Sequence, residues 1–196
     1  MRAVGFKEFG DPEVLEVMDI PEVYASQGEI RIKNYASAVN PTDIVSRSGL
    51  IAQFRKDYPL PAVPGMDISG IVDQVGEGVE TGVSIGDQVM GMVIPNALHG
   101  AYSEQITLNQ FAVVKAPKGF SFVESATLPM NGLTARLSLD LLNLTKGQVV
   151  AVTGGPGAYG GYVIQLAKAD GLIVIADSNE SDCLLYTSDA ADDRMR

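Results

Sequence analysis

The segment that decides the fold is Thr153-Gly154-Gly155-Pro156-Gly157-Ala158-Tyr159-Gly160-Gly161. It follows the apolar run 149–152 and precedes residues 163–168, which suit a helix, and a second apolar run covers 172–176. A strand, a glycine-rich turn, a helix and a second strand within about 30 residues are typical of a βαβ unit. Because both strands are apolar throughout, we expect a parallel pair covered on both faces.

The glycines of this turn have the spacing of a dinucleotide-binding loop. Gly155, Gly157 and Gly160 form Gly-x-Gly-x-x-Gly, and Gly154 begins an overlapping motif. Glycines at these positions allow a tight turn, a close approach of the backbone to a pyrophosphate, and close packing of helix on strand. The helix N-terminus adds free amide donors. An ordinary glycine-rich turn is the alternative, and the strand-turn-helix-strand context favours dinucleotide binding over it.

The chain before residue 120 has a different pattern, with short β-like runs separated by glycine and proline. We predict strands over residues 29–33, 68–72, 89–93 and 104–108. From about residue 121 the pattern changes, and residues 133–142 carry apolar side chains at helical spacing. The sequence therefore predicts a mixed fold, with a β-rich barrel or sandwich followed by an α/β unit.

Composition excludes several classes of function. The chain has 196 residues, 46% of them hydrophobic, and a formal net charge of -10. This charge disfavours binding to nucleic acid or to an anionic membrane surface. The sequence contains neither an apolar run of roughly 18 residues, as a membrane helix needs, nor an N-terminal secretory signal, so we expect a cytoplasmic protein. The single cysteine, Cys183, excludes an internal disulfide.

Several further motifs occur in a fixed order along the chain. They are Asn40-Pro41-Thr42-Asp43, Pro64-Gly65-Met66-Asp67, Gly86-Asp87-Gln88-Val89 and Gly132-Leu133-Thr134-Ala135, followed by the glycine turn. With these motifs the chain, from residue 1 to about 182, resembles the medium-chain dehydrogenase/reductase superfamily in its quinone oxidoreductase, or zeta-crystallin-like, branch. Several motifs in this order and at these spacings identify the family far more specifically than any single motif does.

The resemblance implies a GroES-like β-barrel catalytic domain over residues 1–120 and the first part of an α/β Rossmann domain over 121–182. It also implies that substrate and nicotinamide meet in a cleft between the domains, with Asn40 and Asp43 as catalytic residues and Thr134 along the cofactor. Each residue has a structural alternative. Asn40 also suits a helix start, Asp43 the first turn of that helix, and Thr134 an ordinary helical position.

The ligand count argues against zinc. A catalytic zinc site usually needs three His, Cys or carboxylate ligands, and this chain has one His and one Cys. By the resemblance, Asn40 and the run 65–67 stand where zinc-dependent relatives carry ligands. We interpret Asp67 as a turn or strand-end residue and His99 as a loop residue. Without a metal to stabilise an alkoxide, hydride transfer to a quinone or to an α,β-unsaturated carbonyl is favoured over alcohol oxidation.

The resemblance implies NADPH as the nicotinamide cofactor, with NADH as the alternative. An acidic residue about 20 positions after the glycine motif would bind the ribose 2′-hydroxyl and disfavour a 2′-phosphate. Asp177 lies near that place, one residue before the position of the acid in NAD-dependent relatives, where this sequence has Ser178. We therefore name Gly154, Gly157, Gly160, Asp177 and Ser178, besides Thr134, as cofactor-binding residues.

Residues 183–196 depart from the family pattern. The residues from Cys183 to Asp192 match the translation of a widely used transposase adapter, which predicts an adapter-derived tail on a C-terminally truncated chain. A divergent natural C-terminus is the alternative. A doubly wound domain has about six strands, and only the first two would then be present. We therefore expect the chain as written to aggregate and to have little activity.

The sequence thus predicts the front part of a zinc-independent, NAD(P)H-dependent reductase of small-molecule quinones or enones. We expect the full-length parent to be a homodimer. Two alternatives stay open: a non-catalytic, crystallin-like NADPH-binding protein, and an inactive fragment of the enzyme.

Overall fold

The computed structural model describes residues 1–53 and 58–178. The chain divides into two compact units, of which the first is Met1–Met130 and the second begins at Asn131. This division lies ten residues after the domain boundary expected near residue 120. The expected tail at 183–196 lies outside the described residues.

The first unit is built on antiparallel strands. The strands β1 (Arg2–Gly5) and β2 (Glu16–Asp19) form a separate pair. Five further strands form one sheet in the order β6-β3-β4-β5-β7. They are β3 (Glu29–Ala36), β4 (Asp67–Val75), β5 (Gln88–Met92), β6 (Gln105–Asn109) and β7 (Val113–Lys115). All four strand predictions for this region fall on β3 to β6, with ends shifted by a few residues.

In the described part of the chain the five-stranded sheet is open, because β6 and β7 lie at its two edges and each pairs with one neighbour. The expected barrel is therefore not closed. The inward face of the sheet carries β-branched side chains that alternate with more exposed residues, as in β3, where Ile30 and Ile32 are fully buried. These side chains form the main core with Ile68, Val72, Val89 and Ile106.

Short helices complete the first unit. The helix α1 (Pro41–Arg47) follows β3, and α2 (Phe122–Ala126) follows β7. Three 3-10 turns cover Pro12–Val14, Leu50–Gln53 and Gln110–Ala112. Ser121 caps α2, accepting a hydrogen bond from Glu124 N at 3.2 Å, while the Glu124 carboxylate accepts one from Ser121 N at 2.8 Å. Such reciprocal capping satisfies two donors that a helix start leaves without intrahelical partners.

The second unit contains the expected βαβ arrangement. The helix α3 (Pro129–Leu142) leads into it, followed by β8 (Val149–Val152), α4 (Ala158–Ala169) and β9 (Ile173–Ala176). The strands β8 and β9 are parallel and in register, from Val149 opposite Ile173 to Val152 opposite Ala176. Side chains from α3, β8 and α4, together with the residue just before β9, form its core: Ala135, Leu139, Val150, Val152, Val163, Ile164, Ala167 and Leu172.

None of the helices in the described ranges is both long enough and apolar enough to cross a membrane.

Candidate functional site

The first unit presents a polar cluster at the start of α1. Asn40 is the N-cap residue, with extended backbone angles, and Pro41 is the first helical residue. The backbone N–H of Asn40 donates to Asp43 Oδ2 at 2.8 Å. An acidic side chain in the first turn is also favoured by the helix dipole. The helix start expected at Asn40-Pro41 is confirmed. Both candidate catalytic residues lie at this helix start, where the hydrogen bond between them fixes their positions.

Asp43 joins three separate parts of the chain. Besides the bond from Asn40, its carboxylate accepts hydrogen bonds from Gly65 N at 2.9 Å and from the Tyr102 hydroxyl at 3.0 Å. Asp43 is buried, with 6% of its surface exposed. A buried carboxylate is stable only when hydrogen bonds replace its lost hydration, so Asp43 holds α1, the Gly65 turn and Tyr102 together.

Asp67 is the second buried carboxylate of the cluster. It is the first residue of β4 and is 1% exposed. Its Oδ2 accepts from Asn40 Nδ2 at 2.6 Å, and its Oδ1 accepts from Met130 N at 2.6 Å. Burial raises the pKa of Asp67 above its ordinary value, and the hydrogen bonds from Met130 and Asn40 oppose this change, whereas the charge of Asp43 adds to it. The predicted strand-end position is confirmed, but the role in a buried network was not foreseen.

Tyr102, which lies in a loop, is the last member of the cluster. Burial, followed by the charge of Asp43 and the hydrogen bond to it, raises the pKa of Tyr102 well above its usual range. The hydroxyl therefore stays protonated and donates. Gly65 has φ of +99°, and a Cβ there would lie 2.5 Å from Tyr102 Cδ1. Glycine at this position is required both by its backbone conformation and by the tyrosine ring.

The sequence indicated Asn40 and Asp43 but not Gly65 and Tyr102, the hydrogen-bond partners of Asp43. Tyr102 lies 59 residues from Asp43 in the chain, and no periodicity links the two. His99, which we interpreted as a loop residue, indeed lies in a tight loop whose backbone pairs with Asn96. Burial lowers the pKa of His99.

The second unit presents the glycine turn between β8 and α4. Gly154 has φ of +69°, a conformation that favours glycine. The backbone N–H groups of Gly154 and Gly155 donate to the same oxygen, Asp177 Oδ1, at 2.6 and 3.2 Å. Asp177 directly follows β9, so its carboxylate ties the end of that strand to the turn. This places Asp177 beside the glycines that the sequence grouped with it.

The start of α4 packs closely on the same turn. A Cβ at Gly160 would collide with the carbonyl oxygen of Gly154 and lie 2.9 Å from its carbonyl carbon. Gly157 is the N-cap residue of α4 and has no side chain to cap the helix. The first amide groups of a helix have no intrahelical acceptor and attract anions. The turn therefore has the close packing and the backbone donors that fit the pyrophosphate of a dinucleotide.

The two remaining candidate residues are both exposed. Thr134 lies on α3, where its carbonyl oxygen accepts a hydrogen bond from the Ser138 hydroxyl at 2.8 Å. The same hydroxyl accepts from Tyr159 of α4 at 2.8 Å, which connects α3 with the residues after the turn. Ser178 follows Asp177 at the end of the described residues.

Residues 1–53 and 58–178 contain no group of three or more His, Cys, Asp or Glu side chains arranged to hold a metal ion. Asn40 and Asp67 are hydrogen-bonded to each other.

Comparison with known proteins agrees with this architecture. Residues 26–134 match the model of the alcohol dehydrogenase GroES-like domain. The chain is 35% identical over 177 residues to 2-methylene-furan-3-one reductase of Solanum lycopersicum. The aligned region covers 86% of this chain and 44% of the relative. It is 33% identical over 177 residues to NADPH-dependent alkenal/one oxidoreductase of Arabidopsis thaliana, again covering 86% and 44%. The chain thus spans less than half the length of these curated relatives.

A similar solved structure is that of the quinone oxidoreductase from Coxiella burnetii. It superposes with a TM-score of 0.83 at 34% sequence identity, covering 96% of this chain and 59% of the other. Both units of the present chain therefore have counterparts in that structure.

Proposed function

This chain belongs to the alcohol dehydrogenase GroES-like family, in the quinone oxidoreductase branch of the medium-chain dehydrogenase/reductase superfamily, and on that premise we propose the activity of its parent protein. The parent reduces quinones or α,β-unsaturated carbonyls with NADPH, by hydride transfer and without a metal ion. The observation that carries this proposal is the glycine turn of the second unit, whose Gly160 leaves no room for a side chain.

The glycine turn would hold the diphosphate of the cofactor. Gly154, Gly157 and Gly160 let the bound phosphates approach the start of α4 closely, because none of these glycines carries a side chain. When bound, NADPH supplies a hydride to an electron-poor carbon, and the product anion is delocalised onto oxygen. The exposed Thr134 on α3 is proposed to line the cofactor.

Asn40 and Asp43 are proposed as the catalytic residues of the first unit. The side-chain amide of Asn40 is fixed by Asp67 and its backbone by Asp43. This double attachment would preorganise Asn40 to orient an acceptor carbonyl, and preorganised polar groups stabilise developing charge effectively. Asp43 acts by holding Asn40, Gly65 and Tyr102 in one geometry.

The chemistry of this cluster supports a reaction without zinc. Both oxygens of Asp67 accept hydrogen bonds at 2.6 Å, one of them from Asn40. Asn40 supplies an amide where a ligand for zinc would be a thiolate, imidazole or carboxylate. The hydrogen bond from its amide to Asp67 fixes the Asn40 side chain for the catalytic role proposed above.

NADPH is the proposed cofactor. The name of the Arabidopsis relative specifies NADPH, and Ser178 can accommodate a 2′-phosphate at the end of β9. Asp177, which would disfavour a 2′-phosphate if it faced the ribose, is engaged by the amides of Gly154 and Gly155. We further propose that the full-length protein is a cytoplasmic homodimer that acts on small molecules.

The test is oxidation of NADPH and NADH by the full-length protein with a panel of quinones and enones, with and without a chelator. We expect turnover that the chelator does not change, with NADPH preferred over NADH. Loss of turnover with the chelator would contradict the metal-free reaction. Tight NADPH binding without turnover of any acceptor would instead indicate a nucleotide-binding protein.

A further inference from the structure

The glycine-rich segment 154–161, which covers the turn after β8 and the first residues of α4, contains one side chain that can form a hydrogen bond. Five of its eight residues are glycines, and the other three are Pro156, Ala158 and Tyr159. Glycine loses more conformational freedom on folding than any other residue. The shape of this segment therefore depends on a small number of contacts with the rest of the second unit.

One of these contacts lies at the β8 end of the turn. The backbone N–H groups of Gly154 and Gly155 donate to Asp177 Oδ1 at 2.6 and 3.2 Å. The N–H of Gly157 donates to the carbonyl oxygen of Gly154 at 3.0 Å. These three amides already have acceptors within the chain, so a bound phosphate needs donors from another part of the segment.

Unpaired amides follow directly at the start of α4. In the part of the chain that the structure describes, the backbone N–H groups of Ala158, Tyr159 and Gly160 donate to no acceptor. The next amide, that of Gly161, donates to the carbonyl oxygen of Gly157 at 2.8 Å. Free amides in the first turn of a helix attract an anion. In the proposed function, these three are the donors that remain for the diphosphate of NADPH.

Tyr159 attaches this first turn of α4 to α3. Its hydroxyl donates to Ser138 Oγ at 2.8 Å, and the Ser138 hydroxyl donates to the carbonyl oxygen of Thr134 at 2.8 Å. The acceptor of the Tyr159 hydroxyl is therefore itself held on α3. Tyr159 is 40% exposed and does not belong to the core of the second unit. Its defined contact is thus a hydrogen bond at the start of the helix, rather than packing in the core.

We infer that Tyr159 is a positioning residue for the cofactor, an inference that rests on the proposed NADPH site. Its hydroxyl, bound to Ser138, fixes the first turn of α4 so that the unpaired amides point at the diphosphate. Asp177 fixes the opposite end of the same segment. A segment that is ordered before its ligand arrives loses less conformational entropy on binding, which raises the affinity. Tyr159 therefore strengthens NADPH binding through the helix start, without taking part in hydride transfer.

The experiment is a titration of the full-length protein with NADPH, followed by the fluorescence of the bound nicotinamide, which gives a Kd without any need for turnover. Tyr159→Phe removes the hydroxyl and keeps the ring, and we expect a Kd about five-fold higher, as the loss of one hydrogen bond implies. Ser138→Ala removes the partner of the same bond and should raise the Kd by a similar factor. The double variant should bind as the single variants do, because the second change finds the bond already broken.

Thr145→Ala is the matched control. Thr145 precedes β8, at the end of that strand opposite the turn, and its hydroxyl forms an exposed hydrogen bond with Gln148 Oε1 at 3.2 Å. Its loss should leave the Kd unchanged. In the assay of turnover, Tyr159→Phe should raise the KM for NADPH and leave kcat at saturating NADPH unchanged, whereas a merely damaged fold would lower kcat through the active fraction.

Four results would overturn the role of Tyr159 alone, with the NADPH site intact. They are an unchanged Kd in Tyr159→Phe and Ser138→Ala, a loss in the double variant equal to the product of the two single losses, an equal loss in Thr145→Ala, and a fall in kcat with unchanged Kd. Absence of NADPH binding by the wild type would overturn this role and the proposed function together.

Discussion

The two units keep their candidate sites in shape by opposite means. In the first unit, side chains far apart in sequence are joined by hydrogen bonds, as between Asp43 and Tyr102 or Asn40 and Asp67. In the second unit, the turn depends on the absence of side chains, since a Cβ at Gly160 would collide with Gly154. The cluster of the first unit should therefore lose stability when a hydrogen-bonding side chain is removed. The turn of the second unit should lose stability when a side chain is added.

The largest effect is expected from adding a side chain to the glycine turn. Gly160→Val would push α4 away from the backbone of Gly154 and destabilise the second unit by about 3 kcal/mol, as overpacking does. Amide hydrogen exchange, read separately for β8 and for β4, should show the loss in the second unit alone.

Gly132→Ala is the matched control in the same unit. Nothing lies within 4 Å of a Cβ at Gly132, which is inside α3. Alanine should there stabilise the helix by about 0.5 to 1 kcal/mol. Equal destabilisation by the two substitutions would show that the close approach at Gly160 has no special role.

The contrast between the units also explains what the sequence could predict. The glycine turn is local, with its strand, turn and helix contiguous in the chain, so the spacing of Gly154, Gly157 and Gly160 was sufficient to locate it. The partners of Asp43 come from residues 65 and 102, and their convergence depends on the pairing of distant strands. The open edges of the five-stranded sheet likewise depend on which strands pair with each other. The alternation of side chains along one strand does not specify its neighbours.

Removing a carboxylate from the first unit should have the next largest effect. Asp67→Ala takes away the acceptor of both Asn40 Nδ2 and Met130 N. Loss of this shared acceptor inside the cluster should cost about 2 kcal/mol. The loss should be visible as faster amide exchange in β4, with β8 unchanged. An effect confined to the second unit would contradict the described network.

The pH dependence of stability sharpens this prediction. Because burial raises the pKa of Asp67 above its ordinary value of 3.8, the folded chain holds this proton at pH values where the unfolded chain has lost it. The contribution of Asp67 to the free energy of unfolding therefore falls as pH rises from 3.8 through the folded pKa. Asp67→Asn does not titrate, so its stability relative to the wild type should rise over that window. A constant difference would show that the pKa is not raised.

A smaller effect is expected at the end of β9. Asp177→Ala removes the acceptor for the amides of Gly154 and Gly155. Because this contact is exposed, water can replace the carboxylate, and we expect a loss of about 1 kcal/mol. Faster exchange of those two amide protons is the specific signature. Asp140→Ala, which breaks an exposed pair with Arg136 on α3, should leave them unchanged.

The smallest effect concerns the exposed apolar surface of the second unit. Leu141 is 86% exposed on α3, and Ile173 and Ile175 of β9 are 55% and 61% exposed. Leu141→Lys should change the free energy of unfolding by less than about 0.5 kcal/mol, but it should lower the tendency to aggregate, measured by light scattering against concentration. A large loss of stability would mean that Leu141 is packed rather than exposed.

The glycine turn of the second unit is the proposed binding site of NADPH. Hydrogen exchange of the full-length protein, measured with and without NADPH, tests it most directly. We expect NADPH to slow exchange of the amides in residues 153–161, Gly160→Val to abolish this protection, and Gly132→Ala to retain it. Unchanged exchange in this segment at saturating NADPH, or equal protection in the Gly160→Val variant, would show that NADPH does not bind at this turn.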